Sequence, residues 1–266
     1  MLKAVVFDWA GTVVDFGSLA PMGAFVEVFR HFGVAIDVAE ARKPMGLPKR
    51  DHIAALLADP AIAARWQAAT GAPPDDAAID AIYEIFVPLN AEVVTDHAAL
   101  VPGTVSVVAA LRDRGLRIGS TTGYTRDIME RLAPRAAAAG FEPDNMVCAG
   151  DLPSGRPGPM AMYRCFLDLD VAPAARVVKV DDTAPGIAEG LAAGTWTVAV
   201  ALSGNAMGLS PDELDTLSPA KRAARRADAV AALTRTGAHY VIDTVADLLP
   251  VIDHIEGRLA RGERPV

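Results

Sequence analysis

The stretch Ala4-Val5-Val6-Phe7-Asp8-Trp9-Ala10-Gly11-Thr12 decides the fold. Its apolar run does not alternate, and it stops at an acid. That is the pattern of a strand buried on both faces with a carboxylate at its C-terminal end. Working outward, residues 21–32 take a helical period through Phe25, Val28, Phe29 and Phe32. Residues 37–98 continue as Ala-rich helical patterns broken by Pro and Gly, with almost no β-branched runs. Alternation then returns. Strands are expected at 117–122, 146–148, 177–182, 196–200 and 239–242. Helices are expected at 105–114, 126–139, 161–169 and 187–193. Strands alternating with helices imply an α/β fold: a Rossmann-like parallel sheet core with helices on both faces. Residues 20–98 break the alternation and read as an inserted all-helical cap domain. The core is then 1–19 plus 99–266.

The chain has 266 residues, 52% hydrophobic and 22% charged, which is enough for a substantial core and excludes a disordered or fibrous protein. Its net charge of −8 disfavours a phosphate-backbone partner, so no nucleic acid is expected. Cys148 and Cys165 have no CxxC or metal spacing and read as buried apolar fillers. There is no apolar run near 18 residues and no leader-like start, so no membrane partner and a cytoplasmic location are expected. Lysine is scarce: Lys3, Lys43, Lys49, Lys179 and Lys221 are the five among 25 basic residues.

The strand ends carry the chemistry. The first strand ends at Asp8, the second at Thr121-Thr122-Gly123, and a later one at Asp181-Asp182. The carboxyl ends of strands in an open parallel sheet share one crevice. Asp8, Thr121 and Asp182 can therefore converge there. Carboxylates without a charge partner repel, and oxygen ligands without His or Cys suit Mg²⁺.

Four segments resemble the motifs of the haloacid dehalogenase superfamily: 7–12, Ser120-Thr121-Thr122-Gly123, the arginine of Ser154-Gly155-Arg156-Pro157, and Asp181-Asp182. The resemblance implies that Asp8 is a nucleophile toward phosphorus. Thr121 and Arg156 would hold the phosphoryl group. Asp8, the Ala10 carbonyl and Asp182 would hold Mg²⁺. Gly186 stands where some members carry a further acid, and Asp181 is the candidate to replace it. Phosphatases of the superfamily carry an acid two residues after the nucleophile, which protonates the leaving oxygen. Here that position is Ala10, which cannot transfer a proton.

The segment Ala41-Arg42-Lys43-Pro44-Met45-Gly46-Leu47-Pro48-Lys49-Arg50-Asp51-His52 offers another route. Gly46 and Pro48 make a tight turn, and Lys49 opens the next helix. A lysine amine forms an imine with an aldehyde, and an iminium lets carbon leave phosphorus as an enamine. Lys43 is the other candidate amine. Arg42, Lys43 and Arg50 are expected to lower the pKa of Lys49.

This segment, together with 7–12, 121–126, 155–157 and the Asp182 region, resembles the phosphonatase family within that superfamily. The resemblance implies hydrolysis of the C–P bond of phosphonoacetaldehyde with Mg²⁺. Lys49 would be the Schiff-base lysine, and Met45, Gly46, His52, Tyr124 and Thr12 would support it. It also implies a small-molecule phosphonate substrate and a homodimer formed through the caps. The alternatives are a phosphomonoesterase or phosphomutase, against which Ala10 argues, and a non-catalytic binder of phospho-ligands.

Overall fold

The computed structural model describes residues 1–265. Strand β1 (Ala4–Phe7) is wholly buried, as its uninterrupted apolar run requires. Five helices follow: α1 (Ala20–His31), α2 (Val38–Arg42), α3 (Lys49–Ala58), α4 (Pro60–Thr70) and α5 (Asp76–Val93). The chain then alternates through α6 (Thr104–Asp113), β2 (Arg117–Thr125), α7 (Arg126–Ala138), β3 (Val147–Ala149), α8 (Met160–Asp168), β4 (Val177–Asp181), α9 (Ala184–Ala192) and β5 (Trp196–Val200). It closes with α10 (Pro211–Thr216), α11 (Pro219–Thr234), β6 (Tyr240–Ile242) and α12 (Leu248–Ala260).

The six strands form one sheet in the order β3-β2-β1-β4-β5-β6, and every pair is parallel. β1 is flanked by β2 on one side and β4 on the other. Successive connections therefore leave it in opposite directions, and a crevice opens at its carboxyl end. The polar ends of β1, β2 and β4 meet there. The α/β fold with a Rossmann-like core and a helical cap is what the sequence implies.

The cap has an apolar cluster of its own, built on Phe25, Phe29, Ile53, Ile62, Ile82 and Phe86. Phe25 stacks on Phe86 with ring centroids 4.2 Å apart. A separate cluster fills one face of the sheet with Phe7, Trp9, Ile118, Phe141 and Trp196. The chain passes between the two parts twice. Asp15 N–H donates to Ala99 O, and Val101 N–H donates to Val13 O, so the two crossings are tied side by side. Asp15 accepts from the backbone N–H groups of Leu19 and Ala20, which anchors the start of α1.

Two features differ from the sequence reading. β2 continues to Thr125 instead of stopping at Thr122, with its pairing to β3 shifting register between Thr121 and Thr125. The strand thus carries the whole Thr121–Tyr124 motif. The chain beyond 242 also forms α12, which buries Leu248, Ile252 and Ile255 at helical spacing. Cys148 and Cys165 are free and buried, as expected.

Candidate active site

Asp8 follows β1, its N–H held by Val180 O of the neighbouring strand. Its carboxylate is nearly buried and lies 2.8 Å from Arg156 Nη2. Burial, reinforced by the Asp181 charge, raises its pKa to about 6 against the opposing pull of Arg156 and Lys179. Asp8, Asp181 and Asp182 bring one carboxylate oxygen each to within 4.8 Å of one another, and all three are buried. Asp182 Oδ2 accepts from Asn205 N–H at 2.7 Å, while Oδ1 is buried without a hydrogen-bond partner. Burial and the like charges of Asp8 and Asp181 push Asp182 well above the usual carboxylate range.

Asp181 behaves differently. Burial would raise it, but Arg156, Lys179 and the Thr183 hydroxyl together hold it below the usual range. Its Oδ1 accepts from Thr183 N–H at 3.0 Å and from Thr183 Oγ1 at 2.7 Å, and its Oδ2 lies 3.1 Å from Lys179 Nζ.

Beneath these acids is a buried ionic layer that sequence reasoning missed. Lys179 Nζ lies 3.2 Å from Glu189 Oε2 and donates to Thr121 Oγ1 at 2.7 Å. Thr121 Oγ1 in turn donates to Glu189 Oε2 at 2.7 Å. Arg156 donates to Thr121 O and Oγ1, both at 2.8 Å, and its Nε lies 3.2 Å from Glu189. Lys179 and Glu189 are fully buried. Buried charges persist when paired, and these two pair with each other and with site residues. The sequence signal was present: Lys179 interrupts an apolar strand, and Glu189 is the one acid of α9.

Thr121 therefore does not reach the crevice. A small, partly open cavity lies over the strand ends, and its wall includes Thr122, Gly123 and Tyr124 together with Asp8, Ala10 and Arg156. Side chains alternate along β2, so Thr121 points to the face that carries Lys179 and Thr122 is left on the cavity. Thr12 is buried, its hydroxyl is unpartnered, and it is not part of the cavity wall.

The cap supplies the roof. Gly46, at φ +94, lies so near α9 that a Cβ there would sit 2.6 Å from Thr183 Cβ. Only glycine allows this approach. Pro48 then caps α3, and Lys49 is its first residue. Lys49 is 3% exposed. Its Nζ lies 4.0 Å from Met45 Sδ and 5.0 Å from the centroid of the Tyr124 ring. Burial lowers its pKa to about 8; Asp8 opposes this and Arg156 adds to it.

The expected role of the flanking cations is overturned. Lys43 turns outward to Asp59 at 3.1 Å, Arg50 pairs with Asp80 at 2.7 Å, and Arg42 bonds a distant loop. The depression of Lys49 comes from desolvation and Arg156. His52 sits behind Lys49 as packing. It is fully buried, stacks on Phe25 at 4.0 Å, and has Nε2 2.8 Å from Ala41 O. Burial and the Lys49 charge hold it neutral, with its pKa lowered to about 3. Tyr124 is buried with its hydroxyl unpartnered, and burial pushes it well above its ordinary value.

A buried carboxylate held by a buried guanidinium, with paired acids beside it at the carboxyl ends of a parallel sheet, is the arrangement of a hydrolase site. The family model for haloacid dehalogenase-like hydrolases matches residues 2–194. A phosphonoacetaldehyde hydrolase of Paraburkholderia xenovorans is 56% identical over 264 residues, 99% of each chain. One of Salmonella typhimurium is 51% identical over 266 residues, again 99% of each. A crystal structure of a phosphonoacetaldehyde hydrolase-like protein from Oleispira antarctica superposes with a TM-score of 0.98 at 41% identity, covering 99% of this chain and 96% of that one. The chain belongs to the haloacid dehalogenase-like hydrolases and, within them, to the phosphonoacetaldehyde hydrolase family.

Proposed function

We propose that this protein cleaves the C–P bond of phosphonoacetaldehyde to acetaldehyde and phosphate. The observation that carries the proposal is that Lys49 and Asp8 share one cavity with Ala10. A desolvated amine is present where the acid of a phosphatase is missing. The Lys49 amine adds to the aldehyde carbon, water leaves, and an iminium forms. An Asp8 oxygen attacks phosphorus. The C–P bond breaks, and its electron pair moves into the iminium as an enamine. The enamine is protonated on carbon, and water hydrolyses the resulting iminium to acetaldehyde and free Lys49. A second water cleaves the aspartyl phosphate, releasing phosphate and Asp8. Arg156 and Thr122 would hold the phosphoryl oxygens. Met45, Gly46, Tyr124 and His52 shape and dry the surroundings of the amine.

The donor set fits a hard divalent cation. Asp8, Asp182 and the Ala10 carbonyl would hold Mg²⁺, with Asp181 behind them. The buried acids Asp8, Asp181, Asp182 and Glu189 outnumber the buried cationic side chains Arg156, Lys179 and Lys49, which favours an added cation at the site. When bound, Mg²⁺ would neutralise charge on the phosphoryl oxygens and the nucleophile.

The same proposal takes residues 20–98 as the cap domain and 1–19 plus 99–266 as the core. It takes the enzyme as a homodimer, as the resemblance implies, and as cytoplasmic. Among the described residues, no helix is long and apolar enough to cross a membrane. The test is an assay of acetaldehyde and phosphate formed from phosphonoacetaldehyde, with and without Mg²⁺, beside a generic phosphate ester. Turnover of the ester alone would favour a phosphatase, and turnover of neither would favour a binder.

A further inference from the structure

The two oxygens of Asp182 are not equivalent. Oδ2 is held at 2.7 Å by the backbone N–H of Asn205, and Oδ1 is buried without a partner. Asn205 lies in the loop between β5 and α10, and the cap takes part in holding that loop. Asn205 Oδ1 accepts from Arg42 Nη1 at 2.9 Å, and its Nδ2 donates to Arg42 O at 3.5 Å. Arg42 is the last residue of α2. Its Nη1 also donates to Gly17 O at 3.0 Å and Ser18 O at 3.2 Å, in the crossing from core to cap, and Nη2 donates to Gly208 O at 3.2 Å. One guanidinium thus joins cap, crossing and loop. A planar fork that serves four acceptors accepts little change in their arrangement. Arg42 is not part of the cavity wall, so contact with substrate does not account for it.

We infer that Arg42 and Asn205 are positioning residues for the cation site. Arg42 seats the cap on the loop, the loop holds Asp182 Oδ2, and Oδ1 is left facing the position of the cation. The inference rests on Asp182 being a cation ligand, as proposed above. Its consequence is linkage. If cap contact strengthens cation binding, the cation strengthens cap contact by the same factor.

The test is Mg²⁺ binding to the substrate-free, full-length protein by isothermal titration calorimetry. The variants are Arg42→Ala, Asn205→Ala, the double variant and Lys43→Ala. Asn205→Ala keeps the N–H that Asp182 uses and removes only the side chain that Arg42 holds. Lys43 pairs with Asp59 within the cap and serves as the control. Partners that orient a metal ligand typically control affinity by roughly 10-fold or more. Each single variant should weaken Mg²⁺ binding by about that factor. The double variant should be no worse than either single, and Lys43→Ala should match the wild type. Thermal unfolding in EDTA checks that each variant is folded. Should Arg42→Ala fail to fold, Asn205→Ala decides alone. Affinity within about twofold of wild type in a folded single variant, or losses that add in the double, would overturn the inference. A wild-type protein that binds no Mg²⁺ would instead remove the cation site itself, and this inference with it.

Discussion

The carboxylate of Asp181 fills the space that any side chain at position 186 would need. A Cβ on Gly186 would overlap its Cγ and both its oxygens. The acid that some superfamily members carry on the helix after β4 is here replaced by glycine, and an acid on the end of the strand occupies the vacated volume. Gly186→Ala should therefore push Asp181 off Thr183 and Lys179. We expect a loss of about 1–3 kcal/mol in urea unfolding from the overpacking, with a higher Mg²⁺ requirement in the assay. The exchange Asp181→Gly with Gly186→Asp should recover Mg²⁺-activated turnover above either single variant. A double variant no better than Gly186→Asp alone would show that the two positions do not share one carboxylate function.

Asp8→Asn is nearly isosteric and should fold. It should also be inactive, because an amide is a poor nucleophile and a weaker cation ligand. Circular dichroism and phosphate release check the two halves. Turnover above a few per cent of wild type, roughly the leakage expected without the nucleophile, would remove the aspartyl phosphate from the mechanism.

Ala10→Asp restores the phosphatase pattern but adds a carboxylate beside Asp8, whose pKa is already raised to about 6. C–P cleavage should fall and ester hydrolysis should gain little, because the cavity roof still presents Lys49. Competing assays on the aldehyde and a phosphate ester check this. Strong new esterase activity with unharmed phosphonatase activity would separate Ala10 from leaving-group chemistry.

Much of this arrangement was legible in the sequence because a parallel sheet imposes it. Apolar runs that end in Asp8 and in Asp181-Asp182 must deliver those acids to one edge. Lys49 was legible from the Gly46–Pro48 turn that starts its helix. Thr121 was expected in the crevice, and Thr122 lines it instead, because the face each threonine takes follows from how β2 pairs with β1 and from β4 lying beside β1, which local spacing does not encode. Lys179 and Glu189 were missed as a pair because they meet across β4 and α9. The destination of Arg42 lies more than 160 residues away in the chain. The failed expectation about its charge has the same cause: neighbours in sequence at 42, 43 and 50 point to three different places.

The depressed pKa of Lys49 carries a stability cost with a definite sign. Its folded pKa, about 8, lies below the ordinary lysine value, so the unfolded chain binds the proton more tightly. The penalty is full below pH 8 and fades as pH rises toward about 10.4. Lys49→Met should be inactive yet more stable than wild type at pH 7, by up to about 3 kcal/mol, with the difference shrinking above pH 8. Denaturant unfolding at pH 7 and at pH 10 checks it. In the wild type, kcat/KM should rise with pH to a shoulder near 8, where the amine is free.

The central claim is the covalent role of Lys49, and reductive trapping tests it most directly. Borohydride added with phosphonoacetaldehyde should inactivate the enzyme and leave one adduct on the peptide containing Lys49. Lys49→Arg should neither form the adduct nor turn over, since guanidinium stays protonated. An adduct on Lys43, or an active Lys49→Arg enzyme, would contradict the account.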